Sequence, residues 1–215
     1  MKGFLTDFGG VLTTNVFDSF KAFCRTEGLP EDTVKQIFRD REGEGLALLR
    51  RLEKGELTAQ EFSESFAPLL GVSPDNLVER LFGGVGPDEP MVDAVRRARS
   101  AGVRTGLISN SWGEGLAYDP ALLEELFDAV VISGDVGLHK PQPEIFVLGA
   151  ERIGVAPEDC VFVDDLRENC AGAEAVGMKA ILHRGSAGTL PQLEELLGVP
   201  LGVRPLPLRA GPGGG

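Results

Sequence analysis

The sequence contains little cysteine and fewer basic than acidic residues. Its three cysteines, Cys24, Cys160 and Cys170, show neither CxxC nor Cys/His ligand spacing, which argues against a disulfide framework or a structural zinc site. It has 21 Lys and Arg against 33 Asp and Glu, and the net charge of -12 argues against nucleic acid or an anionic membrane as main partner. No apolar run approaches membrane-spanning length and the N-terminus is a poor signal peptide, so we expect a soluble cytoplasmic protein.

Hydrophobic residues make up 42% of the 215 residues, which is enough for a substantial core. From about Gly84 onward, short apolar runs alternate with segments of helical periodicity. Strands are predicted at 103–109, 129–133, 160–163 and 179–182, with helices between them. This alternation predicts an α/β fold, a Rossmann-like parallel sheet with helices on both faces.

Residues 15–84 have a different pattern, with helical spacing and no convincing strand. Asn15 is a candidate N-cap, Thr58 to Glu61 is a capping box, and Ser73-Pro74 is predicted to begin a further helix. We therefore expect a core domain of residues 1–14 plus 85–200 and an inserted α-helical cap subdomain of residues 15–84. Residues 201–215 are rich in Pro and Gly and are predicted to form a flexible tail.

Polar residues stand where the predicted strands end. Asp7 follows a short apolar run and precedes a glycine turn, Ser109-Asn110 ends a second strand, and Asp164-Asp165 ends a third. Lys140-Pro141 precedes a predicted helix. Because the carboxyl ends of parallel strands share one edge of a sheet, we expect a common site there. Taken singly, each group is also explained as a helix cap or a solvated loop residue.

In this order the segments resemble the haloacid-dehalogenase-like (HAD) hydrolase superfamily over roughly residues 3–185. The sequence looks most like members with a helical cap after the first strand, such as the phosphatase-like N-terminal domain of soluble epoxide hydrolases. Two stretches carry this likeness: GLHKPQPEIF at residues 137–146, and VFVDD at residues 161–165 with Asn169 four residues on.

The resemblance implies a Mg²⁺-dependent phosphohydrolase that acts on a small phosphorylated metabolite through an aspartyl-phosphate. A phosphoryl dianion beside carboxylates needs a hard cation, and Mg²⁺ takes oxygen ligands. The implied nucleophile is Asp7, which is also a metal ligand. The other implied metal ligands are the Gly9 carbonyl, Asp165 and the supporting Asp164. Lys140 and Ser109 would bind and stabilise the phosphoryl oxygens, and Asn110 and Asn169 would complete the phosphate site.

One position departs from the family pattern. The phosphatases of the family carry D-x-D, in which the second Asp protonates the leaving oxygen, whereas this sequence has Gly9 there. General acid–base catalysis is worth about 10²–10⁴-fold, so we expect slow turnover of alkyl phosphates, while acyl and aryl phosphates remain accessible. A replacement acid could come from the charged loop of residues 40–44, which contains Asp40 and Glu42.

Other functions stay open at this stage. A catalytically impaired HAD-fold binding protein is favoured by Gly9 alone. A 2-haloacid dehalogenase is disfavoured by the Asp164-Asp165 pair, because family dehalogenases do not need Mg²⁺. A phosphomutase is least favoured, because the mutases depend on the missing second Asp. Trp112 is interpreted as a packing residue at the edge of the site.

Overall fold

The computed structural model describes residues 2–110 and 119–202. Five strands form one sheet: β1 (Gly3–Thr6), β2 (Arg104–Ser109), β3 (Ala129–Ile132), β4 (Cys160–Asp164) and β5 (Lys179–Leu182). Their order is β3-β2-β1-β4-β5, and each neighbouring pair is parallel. The predicted α/β fold with a parallel sheet is confirmed.

The described residues contain eleven α-helices. They are α1 (Val16–Thr26), α2 (Thr33–Arg39), α3 (Glu44–Glu53), α4 (Ala59–Leu70), α5 (Leu77–Phe82), α6 (Glu89–Ser100), α7 (Pro120–Leu126), α8 (Ser133–Val136), α9 (Pro143–Arg152), α10 (Arg167–Ala175) and α11 (Ser186–Leu197). Helices α1–α5, hereafter the inserted helices, lie in the chain between β1 and α6. The other helices follow the alternation expected from the sequence.

Apolar side chains cover the sheet on both faces. On one face, Phe4 and Leu107 of the sheet pack with residues of α6, α7 and α11 in one buried cluster. On the other, Leu5, Ile108 and Phe162 pack with residues of α9 and α10. Successive residues of a strand point to opposite faces, so Phe4 and Leu5 serve different clusters. The doubly covered sheet explains why its strands are almost continuously apolar.

The inserted helices have a hydrophobic cluster of their own, rich in phenylalanine, which includes Phe20, Phe23, Phe62 and Phe66. Their ends follow local rules. Asn15 accepts a hydrogen bond from the Phe17 N–H, and Thr58 and Glu61 form the predicted capping box before α4. Helix α5 begins at Leu77, later than the start predicted at Ser73-Pro74, because Asn76 has a left-handed backbone with φ of 47°.

The two connections between the inserted helices and the core run side by side. The Thr14 N–H donates to the Gly86 carbonyl at 2.7 Å, and the Asp88 N–H donates to the Leu12 carbonyl at 2.8 Å. Thr13 and Pro87 form an isolated antiparallel bridge. Since Asp7 and the Gly9-Gly10 turn directly precede this junction, the inserted helices depart from the carboxyl edge of the sheet.

Leu201 is the first residue of the predicted tail. It is buried, and its N–H donates to Glu194 Oε1 at 2.6 Å. Residues 203–215 and Trp112 lie outside the described residues. None of the helices in residues 2–110 and 119–202 combines the length and apolar character required to cross a membrane.

Candidate active site

The register of the central strands brings two carboxylates together. Thr6 of β1 pairs with Val163 of β4, and the Asp7 N–H donates to the Val163 carbonyl at 2.9 Å. Asp7 and Asp164 therefore leave neighbouring strands at the same level. The Asp7 Oδ1 accepts from the Phe8 N–H at 2.7 Å, which turns this carboxylate toward its own glycine turn.

Lys140 links these two carboxylates. Its Nζ lies 2.7 Å from Asp7 Oδ1 and 2.7 Å from Asp164 Oδ2, and the residue is only 4% exposed. The ammonium also lies 5.5 Å from the centre of the Phe162 ring. Burial favours the neutral amine, but the charges of Asp164 and Asp7 hold the pKa of Lys140 above its ordinary value. Lys140 is thus a fixed cation in a site of little water.

Asp164 is fully buried, and three groups make four contacts with its two oxygens. Oδ1 accepts from the Leu166 N–H at 2.8 Å and from Asn169 Nδ2 at 3.0 Å. Oδ2 accepts from Asn169 Nδ2 at 3.0 Å and from Lys140. The N-terminal turn of α10 therefore positions Asn169 as a hydrogen-bond donor to Asp164. This arrangement accounts for a carboxylate buried without access to water.

The loop that carries Lys140 is tied to the end of β2. Asn110 Nδ2 donates to the Lys140 carbonyl at 3.1 Å, and its Oδ1 accepts from the Lys140 N–H at 2.8 Å. Ser109 is buried, and its hydroxyl donates to the Asn110 carbonyl at 3.4 Å. Asn110 thus fixes the backbone from which Lys140 extends, a role that the strand-end position by itself does not specify.

The donor set at this edge fits a hard divalent cation. One carboxylate oxygen from each of Asp7, Asp164 and Asp165 can be chosen so that all lie within 4.8 Å of one another. Oxygen-only donors are the set that Mg²⁺ prefers. Three carboxylates lie around the Lys140 ammonium, so a divalent ion would offset the excess of negative charge. Burial, with the Asp164 charge adding to it, raises the pKa of Asp7 to about 7 despite the Lys140 charge. Burial and the Asp164 charge also raise the pKa of Asp165 to about 6.

The two glycines after Asp7 occupy different surroundings. A Cβ added at Gly9 meets Val16 Cγ2 at 3.7 Å, an ordinary contact, so this position has room for a side chain. A Cβ added at Gly10 would lie 2.7 Å from Asp165 Oδ2, and the Gly10 φ of 74° disfavours any other residue. Asp165 therefore leaves no room for a side chain at position 10, whereas the surroundings of position 9 can hold one.

Two residues near the site are absent from the sequence prediction. The Arg184 guanidinium donates to the Asp165 carbonyl at 2.7 Å and so holds the chain after β4. Glu53, at the end of α3, is half-buried. Burial raises the pKa of its carboxyl group to about 7, and the charge of Lys140 opposes this shift. By contrast, Asp40 and Glu42 are exposed, and an Asp40 oxygen accepts from the Glu42 N–H at 3.2 Å. An acid next to a glycine turn, as in Glu53-Lys54-Gly55, is the one sequence signal for Glu53.

Residues 1–177 match the family described as haloacid dehalogenase-like hydrolase. Bifunctional epoxide hydrolase 2 of Mus musculus is 26% identical over 230 residues, covering 96% of this chain and 40% of that protein. Fructose-1-phosphate phosphatase YqaB of Escherichia coli is 39% identical over 100 residues, covering 43% of this chain and 50% of that protein. The chain thus matches half or less of the length of these relatives.

A HAD-family enzyme of Bacteroides thetaiotaomicron, solved in complex with magnesium and inorganic phosphate, has the same fold. Its TM-score is 0.63 at 23% identity, with 86% of this chain and 95% of that one covered. The fold, the site and the family match agree, and the chain belongs to the haloacid dehalogenase-like hydrolases. The family resemblance stated from the motifs is confirmed.

Proposed function

We propose that this protein is a Mg²⁺-dependent phosphohydrolase that acts on a small phosphorylated metabolite through an aspartyl-phosphate on Asp7. The observation that carries the proposal is the triangle of Asp7, Lys140 and Asp164, joined by two contacts of 2.7 Å at the carboxyl edge of the sheet. A carboxylate beside a buried cation and a second acid is the arrangement needed for nucleophilic attack on a dianion. The phosphatase and the phosphate complex among the similar proteins support this reading.

In this proposal each residue has a defined task. Asp7 Oδ2 attacks phosphorus, because Oδ1 is held by Lys140 and the Phe8 N–H. Lys140 compensates negative charge on the phosphoryl group and on Asp7. Ser109 donates its hydroxyl to a phosphoryl oxygen once substrate binds, while Asn110 and Asn169 hold Lys140 and Asp164 in place.

Mg²⁺ would be held by Asp7, Asp165 and the Gly9 carbonyl, with Asp164 in support, and it would supply charge neutralisation for the incoming dianion.

The two parts of the chain have separate roles in the proposed function. Residues 15–84 act as a cap that selects the substrate, and residues 1–14 plus 85–200 form the core that carries the chemistry.

The test is release of 4-nitrophenol from 4-nitrophenyl phosphate, with Mg²⁺ and with EDTA. We expect Mg²⁺-dependent turnover in the wild type and a loss of about 10³-fold or more in Asp7→Asn, because the nucleophile is removed. Asp93→Asn, on the surface of α6, is the matched control and retains full turnover. Turnover that survives EDTA or the Asp7→Asn change would contradict the proposal.

A second candidate, a HAD-fold binding protein with impaired catalysis, rests on the glycine at position 9. It is favoured if folded wild-type protein binds Mg²⁺ and inorganic phosphate but turns over no phosphate ester. Isothermal titration with Mg²⁺ and then phosphate measures this directly.

A further inference from the structure

The inserted helices contact the core through the C-terminal end of α3. The Ser133 hydroxyl donates to the Glu53 carbonyl, and Ser133 itself is 1% exposed. Two residues on, the backbone of Gly55 lies against Gly134, so a Cβ added at Gly55 would be 3.5 Å from the Gly134 Cα. Ser133 directly follows β3. The Glu53–Gly55 turn therefore rests on the carboxyl edge of the sheet, the same edge at which Asp7 and Ser109 lie.

The Glu53 side chain at this contact interacts with the site. The ammonium that acts on its carboxyl group is Lys140, the same group that contacts Asp7 and Asp164. The hydrogen bond between Ser133 and the Glu53 carbonyl holds Glu53 at this edge of the sheet, at the end of an inserted helix. Burial raises the pKa of Glu53 to about 7, so the carboxyl group is partly protonated at neutral pH.

The reaction lacks a proton donor at the usual place. Gly9 has no side chain, and the exposed Asp40 and Glu42 lie in a loop that contacts its own backbone. The Asp7 and Asp164 carboxylates are occupied by Lys140. Glu53 is an acid of the inserted helices whose carboxyl group experiences the charge of Lys140.

We propose that Glu53 is the general acid–base of this enzyme, in place of the side chain that is absent at Gly9. The assignment rests on the proposed phosphohydrolase function and names the residue that completes it. In this role the Glu53 carboxyl group would protonate the leaving oxygen from the side of the inserted helices, while Asp7 attacks from the end of its strand.

The reaction conserves protons and electron pairs over two steps. Asp7 forms a bond to phosphorus while the bond between phosphorus and the ester oxygen breaks, and that oxygen takes its proton from the Glu53 carboxyl group. The alcohol then leaves. Water next attacks phosphorus and gives one proton to the Glu53 carboxylate, the bond between Asp7 and phosphorus breaks, and phosphate is released. Asp7 regains its electron pair and Glu53 its proton, so both residues return to their starting states.

Glu53→Gln tests this role with two esters that differ in the basicity of the leaving group. Ethyl phosphate needs a proton on its leaving oxygen, whereas 4-nitrophenyl phosphate does not. In single-turnover measurements we expect release of the alcohol from ethyl phosphate to slow about 10²–10⁴-fold and release of 4-nitrophenol to slow less than about tenfold. The later hydrolysis of the aspartyl-phosphate, in which Glu53 is the base, should slow equally for the two esters. The matched control is Glu56→Gln, three residues on and half-exposed beside Arg51, which leaves both rates unchanged.

Equal losses in the alcohol-release step of the two esters would overturn the assignment, because they indicate a structural or substrate-binding role. Unchanged release of ethanol from ethyl phosphate would overturn it as well. Glu53→Asp keeps a carboxyl group one methylene shorter and should retain part of the activity that Glu53→Gln loses. Urea unfolding of each variant confirms that it is folded.

A measurement on the wild type needs no variant. Across a series of substituted phenyl phosphates, the single-turnover rate of phenol release should depend only weakly on the pKa of the leaving phenol, because the leaving oxygen is protonated as the bond breaks. A steep dependence overturns the Glu53 assignment while leaving Asp7 as nucleophile. Absence of turnover of 4-nitrophenyl phosphate instead overturns the proposed function itself, so the two failures are distinguishable.

Discussion

The Lys140 ammonium lies 2.7 Å from the Asp164 carboxylate, in a position where neither side chain is accessible to water. The two residues are separated by 24 positions in the chain and joined only by the fold. Removing one partner of such a pair leaves the other charge buried without compensation. Removing the Lys140 ammonium would leave two carboxylates, those of Asp164 and Asp7, without their cation.

Lys140→Met should therefore lower the free energy of unfolding by about 3–5 kcal/mol at pH 8 in the presence of EDTA. Methionine has a similar length, so the effect comes from the lost charge. Urea denaturation measures it, and Lys179→Met, at an exposed position of β5, should change stability by less than about 0.5 kcal/mol. A Lys140→Met protein as stable as the wild type would contradict the view that Lys140 balances the two carboxylates.

Gly9→Asp should increase turnover of alkyl phosphates, by up to about 10²-fold, because the position has room for a side chain and lies two residues after Asp7. In a Glu53→Gln background the same change should restore turnover of ethyl phosphate. The measurement is kcat on ethyl phosphate.

Gly10→Asp is the matched comparison for that substitution. Its Cβ would lie 2.7 Å from the Asp165 carboxylate, at a φ of 74°, and it adds a like charge at that point. We expect Gly10→Asp to lose both Mg²⁺ binding and stability. If the two glycine variants behaved alike, the distinction between these neighbouring positions would be wrong.

Glu53→Gln should stabilise the protein at high pH while it impairs turnover of ethyl phosphate. The folded-state pKa of Glu53 is raised from 4.5 to about 7, mainly by burial and against the charges of Lys140 and Arg50. The adjoining α8 adds only the exposed Asp135. A raised carboxyl pKa means that the stability present below pH 4.5 is lost as the pH rises through about 7.

The free energy of unfolding of Glu53→Gln should therefore exceed that of the wild type by about 1–3 kcal/mol at pH 8 and differ little from it at pH 5. Urea denaturation at the two pH values checks this, with Glu56→Gln as a control that shows no such dependence. A Glu53→Gln protein less stable than the wild type at pH 8 would indicate that the Glu53 carboxylate is a structural ion-pair partner.

Gly45→Ala tests the packing of the inserted helices. Alanine normally favours a helix by up to about 1 kcal/mol over glycine. At Gly45 in α3, however, a Cβ would overlap Ile37 Cγ2 and lie 3.2 Å from the Phe66 ring. We expect a net destabilisation of about 1–3 kcal/mol.

Gly188→Ala is the matched control in α11, since a Cβ there meets nothing within 4 Å. It should raise stability by about 0.5–1 kcal/mol. Thermal unfolding should show a lower Tm for Gly45→Ala and a higher Tm for Gly188→Ala if the packing is as described. Stabilisation in both would show that α2 and α4 do not confine α3.

Much of the fold is predicted by local patterns. The apolar period and caps predict α1. The predicted bounds of β5 match the strand, because Gly177 ends the preceding helix and the polar His183 follows the apolar residues. Helices α2 and α3 are harder to predict, because they are short, charged and stabilised by packing in the phenylalanine cluster. The sequence predicts too early a start for α5, because the left-handed Asn76 has no clear local signal.

The sequence by itself determined the family, the sheet and the identity of the acids at the strand ends, since strand length, glycine turns and motif order are local properties. It also showed that Gly9 lacks the usual acid. Only the tertiary structure decided that Lys140 joins Asp7 to Asp164, that Gly9 has room where Gly10 has none, and that the Glu53 carbonyl contacts Ser133 at the end of β3. These relationships depend on contacts between residues tens of positions apart, which no local pattern contains.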